Sequence, residues 1–279
     1  MKAIRVILAV SVIASLLAAR PCAAAEPAPE SSPWQTYFRR LAGEYRQTVG
    51  DKREELKLIS IPVLKWSQPV RGGQNGAVYL WLQAGRPAVV GTFFIWPNGE
   101  SNFGISHELH ALTSEKLQGD WREQIQWRPS DPRLDWRDVP DATPPSAAAA
   151  KRAIEARQIA RRFAAKSTDR NGQTSELRLQ PRAFYEYEAA AESNPWLGGS
   201  LFSLAHGTDT EIVVWLEAVK GRDKPTWNFT CVRMSDLALA VTLDGKQVWT
   251  ADLARYNQFD GPYLCTAPEF MKEPPTDKP

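Results

Sequence analysis

The sequence has few residues of the types that most often carry chemistry. Its 279 residues include only three histidines, three cysteines and three methionines. It contains no Gly-x-Ser-x-Gly nucleophile elbow, no Gly-rich phosphate loop and no dinucleotide-binding fingerprint. These absences argue against serine hydrolases, nucleotide-dependent enzymes and dehydrogenases. We therefore expect no cofactor and no catalytic residues, and the sequence leans away from an enzyme.

An excess of charge of one sign is also lacking. The chain has 34 Lys and Arg residues against 32 Asp and Glu residues. Three of the basic residues, Lys2, Arg5 and Arg20, lie in the first 25 positions, and the remainder has a net charge of about −1. A balanced chain has no strong field to attract a polyanion. We expect no nucleic-acid partner.

The only long apolar run lies near the N-terminus. Val6–Ala19 is shorter than the roughly 20 residues that a membrane-spanning helix needs. It precedes Ala23-Ala24-Ala25, a small-residue pattern typical of a signal peptidase site. Residues 1–25 are therefore predicted to be a signal peptide, with export to the periplasm or the extracellular space and no membrane span after cleavage. A lipidated Cys22 and an uncleaved N-terminal anchor are the alternatives.

Cysteine is scarce after the predicted cleavage site. Cys231 and Cys265 are the two that remain. Two cysteines in an exported protein indicate one disulfide. Two free, buried thiols are the alternative.

One hydrophobic pattern occurs twice in the chain. The first copy can be aligned with the second without a gap over eleven residues, and again after a two-residue insertion. Chance likeness of two β-rich segments is the alternative to a diverged duplication. The aligned pairs are Leu56–Trp66 with Leu177–Tyr187, Gly76–Gln83 with Gly199–His206, and Ala88–Phe93 with Glu211–Leu216. Within Glu211–Val219 apolar residues fall on both faces, which predicts a central strand that is buried on both sides.

A helical pattern precedes each copy. Trp34–Val49, with Ser32 as its predicted N-cap, carries an apolar stripe of 3.6-residue period. Ala147–Lys166, with Ser146 as its predicted N-cap, contains neither Gly nor Pro. The predicted fold class is therefore α+β, with two tandem related units, each an N-terminal helix packed on an antiparallel sheet of four or more strands. The predicted boundaries are 33–127 for the first unit, 128–146 for a Pro-rich linker, 147–267 for the second unit and 268–279 for a disordered tail.

Two of the three histidines lie in His107-Glu108-Leu109-His110. The segment has the pattern of a strand, where alternation directs His107 and His110 to opposite faces and places Glu108 with His110. His206 lies at the end of another predicted strand. A metal-dependent hydrolase that uses these four polar residues is one hypothesis. Polar residues at strand ends are the alternative that we favour, and we therefore predict no metal.

Tryptophan is abundant, with eleven residues. Trp121, Trp127 and Trp136 lie where the apolar pattern is weak and arginine is close. Aromatic side chains near polar groups are typical of sites that stack on sugars or peptides. These three residues are candidates for a glycan-binding site. Packing of the linker against the first sheet is the alternative.

Several segments resemble a family of uncharacterised exported proteins that is abundant in planctomycete genomes. They are Pro62–Gly72, His107–Leu112, Leu177–Pro181 and Gly207–Ala218. The resemblance implies export and a shared fold. It implies no activity, cofactor or catalytic residue.

The sequence as a whole favours an exported, non-catalytic binding or structural protein. Its partner would be an unidentified ligand or protein of the cell envelope.

Overall fold

The computed structural model describes residues 32–69, 72–99 and 102–273, and every element below belongs to them. The first part of the chain contains α1 (Pro33–Glu44), β1 (Tyr45–Val49), β2 (Glu54–Glu55), β3 (Lys57–Leu58), β4 (Leu64–Gln68), β5 (Gln74–Gln83), β6 (Arg86–Pro97), β7 (Phe103–Ala111), β8 (Leu117–Trp121) and β9 (Ile125–Trp127). The second part contains β10 (Arg137–Asp138), α2 (Ala149–Ala160), β11 (Phe163–Thr168), β12 (Thr174–Leu179), β13 (Tyr185–Glu188), β14 (Trp196–His206), β15 (Asp209–Val219), β16 (Thr226–Arg233), β17 (Ala238–Leu243), β18 (Lys246–Ala251) and β19 (Tyr263–Met271).

Helix α1 begins where the sequence predicts and ends earlier. The Ser32 hydroxyl accepts a hydrogen bond from the Gln35 backbone N–H at 3.3 Å, and Pro33 occupies the first turn. The predicted helix continues to Val49, but the chain becomes extended at Tyr45. Tyr45 and Val49 are four residues apart, a spacing that buries both on a helix and also on a strand. The apolar stripe alone therefore could not locate the end of α1.

Helix α2 differs from its prediction in the same way. It ends at Ala160, and Phe163–Thr168 forms β11 with alternating burial. The predicted cap, Ser146, does not cap the helix. Its backbone N–H instead donates to Glu155 at 3.0 Å.

The strands form three antiparallel sheets. The smallest has the order β2-β1-β8-β9. The second runs β19-β7-β6-β5-β3, with β4 also paired to β5. The third runs β10-β16-β15-β14-β12-β11-β17-β18, with β13 paired to β14. The hairpin turns of β5–β6 and β17–β18 have positive φ at Ala84-Gly85 and at Asp244-Gly245, as type I′ turns require.

The predicted α+β class, with two tandem units, is wrong. The described chain is mostly β, with two helices of 12 residues each. The sheets also do not respect the two units. Strand β19, from the end of the chain, pairs with β7 of the first part, and β10, from the predicted linker, pairs with β16. The aligned segments do fall on comparable hairpins, β5–β6 and β14–β15, but the tandem duplication inferred with the α+β units is not retained.

Three apolar clusters hold the sheets together. Helix α1 covers β5 and β6 in the first, and α2 covers β14 and β15 in the second. The third lies between the other faces of those two sheets, where Val78 and Val90 belong to one cluster with Val213 and Trp215. Strand β15 is buried on both faces along nearly its whole length, which confirms the prediction of a central strand there.

Two predictions concern the ends of the chain, namely the signal peptide and the disordered tail. The predicted signal peptide, residues 1–25, lies outside the described residues. The predicted disordered tail begins at Pro268, yet β19 extends to Met271, and residues 274–279 lie outside the described residues. Neither described helix has the length and apolar composition needed to cross a membrane.

The predicted disulfide is absent, because Cys231 and Cys265 are free, buried thiols. Cys231 lies on β16 in the cluster around α2, whereas Cys265 lies on β19 beside Glu108. Burial raises the pKa of the Cys231 thiol to about 12 and that of Cys265 further.

The two thiols are therefore expected to resist alkylation in the folded protein and to react together when urea unfolds it. Peptide mapping after iodoacetamide treatment, with and without denaturant, checks this prediction. Recovery of a peptide containing Cys231 linked to Cys265 would contradict it.

Candidate functional site

The ionisable side chains of β7 lie on opposite faces of its sheet. His107 faces the cluster around α1, in line with Ile105 and Leu109. Glu108 and His110 lie on the opposite face, toward the sheet that contains β15 and β16. Glu108 is close to Asp236 there, and His110 is close to Arg233. The alternation predicted from the sequence is thus present, and it separates the two histidines.

His107 is enclosed by aromatic rings. Its Nδ1 is 2.8 Å from the Tyr45 hydroxyl, and its ring packs edge-on against Trp121 and Phe93. Burial, and to a lesser extent the charge of Arg122, lowers the pKa of His107 to about 3. His107 is therefore a neutral core residue that is closed off from any ligand.

His110 is also neutral. Its Nδ1 lies 2.9 Å from the Ala111 carbonyl oxygen, an acceptor, so Nδ1 carries the hydrogen. Burial lowers the pKa of His110 to about 4, although this hydrogen bond acts in the opposite direction. The ring lies 6.1 Å from that of Tyr263 on β19.

Glu108 reaches a cavity of about 500 Å³, which we call the acidic cleft. The cleft lies between β7 and the loops of the second part of the chain. Its carboxylic residues are Glu108, Asp169, Asp209 and Asp236, and its aromatic residues are Phe94, Trp96 and Tyr256. Arg170 is the one basic residue among its described lining residues.

The Glu108 carboxyl is held in its neutral form. Burial, followed by the charges of Asp236 and Glu211, raises its pKa to about 8. The Tyr263 hydroxyl and the Cys265 thiol act in the opposite direction, and the Cys265 Sγ lies 3.6 Å from Glu108 Oε1. A carboxyl with a strongly perturbed pKa inside a cleft is a candidate functional group.

The loop that frames the acidic cleft is rigidly held. Arg233 donates to the backbone carbonyls of Ser235, Leu237 and Asp252 at 2.6–2.9 Å. Its guanidinium also lies 5.0 Å from the Tyr263 ring centre. These bonds fix Asp236, which forms an ion pair with Arg170 at 2.9 Å.

His206 is placed apart from these groups. It lies at the end of β14, and its backbone carbonyl accepts a hydrogen bond from the Gln68 amide at 2.6 Å. Among the described residues, no group of three or more His, Cys, Asp and Glu side chains is arranged to hold a metal ion. The geometry therefore does not assemble His107, Glu108, His110 and His206 into a metal site.

Two of the three candidate tryptophans belong to the core. Trp121 and Trp127 are fully buried, and their indole N–H groups donate to Glu44 and to the Gly261 carbonyl. They close the small sheet over the cluster around α1. The sequence does not show that these two residues belong to the core, because β8 and β9 are short and their apolar pattern is weak.

Trp136 is half-buried and lines a second cavity of about 510 Å³, which we call the tryptophan cleft. Trp196 forms part of the same wall, and Arg86 lies among the lining residues. The Arg86 guanidinium lies 4.8 Å from the Trp196 ring centre and 4.4 Å from that of Trp215. Trp136 packs edge-on against Trp215 of β15, and it also packs against the cluster between the two sheets, with the Arg86 guanidinium of β6 5.8 Å from its ring centre.

Arg86, which lines the tryptophan cleft, belongs to a buried ion pair. Arg86 Nε donates to Glu217 at 2.8 Å, and the Tyr187 hydroxyl donates to the same carboxylate. The sequence contained one signal for it, because Glu217 lies in a strand predicted to be buried on both faces, and a buried charge needs a partner. The partner could not be identified, since Arg86 is 131 residues away.

No protein-family model matches the sequence, and a comparison with curated proteins finds no similar one.

Proposed function

We propose that the chain is a non-catalytic binding protein that holds an organic cation in the acidic cleft. The observation that supports this most directly is the Glu108 carboxyl, which is buried in the cleft and has no ion pair among the described residues. A carboxyl kept away from water gains most from a ligand that supplies a compensating positive charge.

The charges around the cleft favour the same class of ligand. The lining residues include four carboxylic side chains and one guanidinium, and that guanidinium is paired with Asp236. An anion would therefore meet net repulsion. A cation would be attracted by the carboxylates and by the aromatic ring of Trp96, while the Tyr256 ring already has the Arg170 guanidinium 5.5 Å from its centre. A volume of about 500 Å³ accommodates a small molecule.

The proposal includes the predicted export. A soluble amine or quaternary ammonium compound of the cell envelope is then the expected ligand, and no chemistry on it is expected. The neutral Glu108 carboxyl serves as an adjustable countercharge that ionises when the cation arrives.

Calorimetric titration with choline, tetramethylammonium and putrescine is the test. Choline is expected to bind, while its neutral isostere 3,3-dimethyl-1-butanol is not. Glu108→Gln should weaken choline binding by roughly 10- to 100-fold, because it removes a charge-assisted contact. Glu176→Gln, which alters an exposed carboxylate on β12, is the matched control and should bind choline normally.

Two further readouts separate this proposal from its rivals. At neutral pH, cation binding should release a proton from Glu108, seen as a binding heat that depends on the ionisation enthalpy of the buffer. Equal binding of the alcohol isostere would contradict the cation proposal. Turnover of ester, peptide or glycoside substrates that is lost in Glu108→Gln would contradict the non-catalytic role.

A further inference from the structure

We propose that the tryptophan cleft is a second binding site, one that takes a neutral sugar ring. It is separate from the acidic cleft. Strand β15 connects the two, since Glu217 lies under Arg86 near its C-terminal end and Asp209 lines the acidic cleft at its start. The inference does not depend on the organic cation.

The first step is the aromatic wall. Trp136 and Trp196 are half-buried, so each leaves part of its ring accessible within the cavity. An indole offers a broad apolar surface at small cost in conformational entropy. Such a wall can accommodate the apolar C–H face of a pyranose ring, while the hydroxyl groups of the sugar remain available for hydrogen bonds.

The second step is the fixed polar group beside the wall. Glu217 binds Arg86 through two contacts, at 2.8 and 3.4 Å. The Trp215 indole N–H donates to the Tyr187 hydroxyl at 3.1 Å, and Tyr187 in turn donates to Glu217. The Tyr185 hydroxyl binds the Gly85 carbonyl at 2.9 Å and holds the turn that carries Arg86. A pre-organised polar group loses little entropy when a ligand binds.

The third step is the charge of the cleft, which disfavours an anionic ligand. Glu217 already neutralises Arg86, and Arg133 pairs with Asp131 at 2.7 Å. The remaining charged lining residue, Glu115, accepts a hydrogen bond from the Gln83 amide at 3.1 Å. The cleft therefore lacks the uncompensated positive charge that would select a carboxylate or phosphate. Its other polar groups include the side chains of Gln83, Thr113 and Asn194, which suit hydroxyl groups.

Calorimetric titration with cellopentaose, chitopentaose, laminaripentaose and mannopentaose tests the inference. At least one of these neutral oligosaccharides should bind with a dissociation constant of about 1 mM or tighter. Trp196→Ala and Trp136→Ala should each weaken it roughly tenfold or more, the loss expected for one stacked ring. Trp249→Ala, which changes a half-buried tryptophan on β18 that lines neither cleft, is the matched control and should leave sugar binding unchanged.

Trp136 also packs against Trp215, so Trp136→Ala could lower stability as well as sugar affinity, and its urea unfolding midpoint is therefore measured too. Asn194→Ala is a second binding variant, and it changes a side chain outside the apolar core. Asn194→Ala should weaken the sugar several-fold at an unchanged midpoint. Failure of all four oligosaccharides to bind would overturn the inference. So would binding that survives both tryptophan substitutions, or preferential binding of glucuronate over the neutral sugars.

Discussion

Glu108→Gln is expected to stabilise the folded protein at about pH 9 by on the order of 4 kcal/mol and to change it little at about pH 5. The cause is the pKa of Glu108, which burial and the neighbouring Asp236 raise from 4.5 to about 8. Between these values the folded state retains a proton that the unfolded state releases. Stability therefore falls as the pH rises through this window, and glutamine, which cannot ionise, removes that loss.

Urea unfolding followed by tryptophan emission at the two pH values measures this effect. The difference in unfolding free energy between the variant and the native chain should grow with pH, at an unchanged dependence on urea. Glu176→Gln is again the control, since its exposed carboxylate should give parallel curves. A constant difference between Glu108→Gln and the native chain across the range would contradict the prediction.

The buried histidines lower the stability of the folded protein at acidic pH. Burial lowers the pKa of His107 to about 3 and that of His110 to about 4, both from 6.5. The unfolded state binds protons at these sites first, so stability is lost as the pH falls below 6.5. The native chain and the Glu108→Gln variant lose the same unfolding free energy from these histidines, so the loss cancels when the two are compared.

Glu217→Leu is expected to cost about 3 kcal/mol, because it leaves the Arg86 guanidinium without its anion and the Tyr187 hydroxyl without its acceptor. Arg86 retains 19% of its side-chain exposure, which places the cost at the lower end of the range for a broken buried pair. Adding Arg86→Met should recover most of the loss, since apolar side chains of similar volume often replace a buried pair without cost.

A double-mutant cycle measures this coupling from the urea unfolding of the native chain, each single variant and the double variant. The expected coupling is positive and accounts for most of the single-variant loss. Additive single effects would mean that Arg86 and Glu217 do not stabilise each other. The exposed pair Arg133–Asp131 provides the comparison, and its coupling should be well below 1 kcal/mol.

The parts of the fold that the sequence predicted are those determined by local pattern. The continuous apolar run of β15 indicated a strand buried on both faces, and alternation in β7 separated His107 from His110. The predicted helix ends were wrong because a four-residue spacing places residues on one face of a helix and also on one face of a strand. The predicted α+β class was wrong as well, since the segments after each helix form strands β1 and β11.

The candidate sites depend on contacts between distant parts of the chain. Arg86 and Glu217 are 131 residues apart, and Cys265 and Glu108 are 157 residues apart. Glu108 and Trp136 were identified because their residue types stand out. Arg86, Asp236 and Tyr256 have no such local signal, and only the packing of the sheets brings them to the clefts.

The pairing of β19 with β7 has a consequence for the order of assembly. The ribosome reaches residues 263–271 only after almost the whole described chain has been made, yet these residues complete the sheet that begins with β3. Until then, β7 is an unpaired edge strand whose backbone N–H and C=O groups can pair with a strand of another chain. The sheet of the N-terminal part thus stays incomplete during most of synthesis, and its open edge requires protection from aggregation until residues 263–271 have been made.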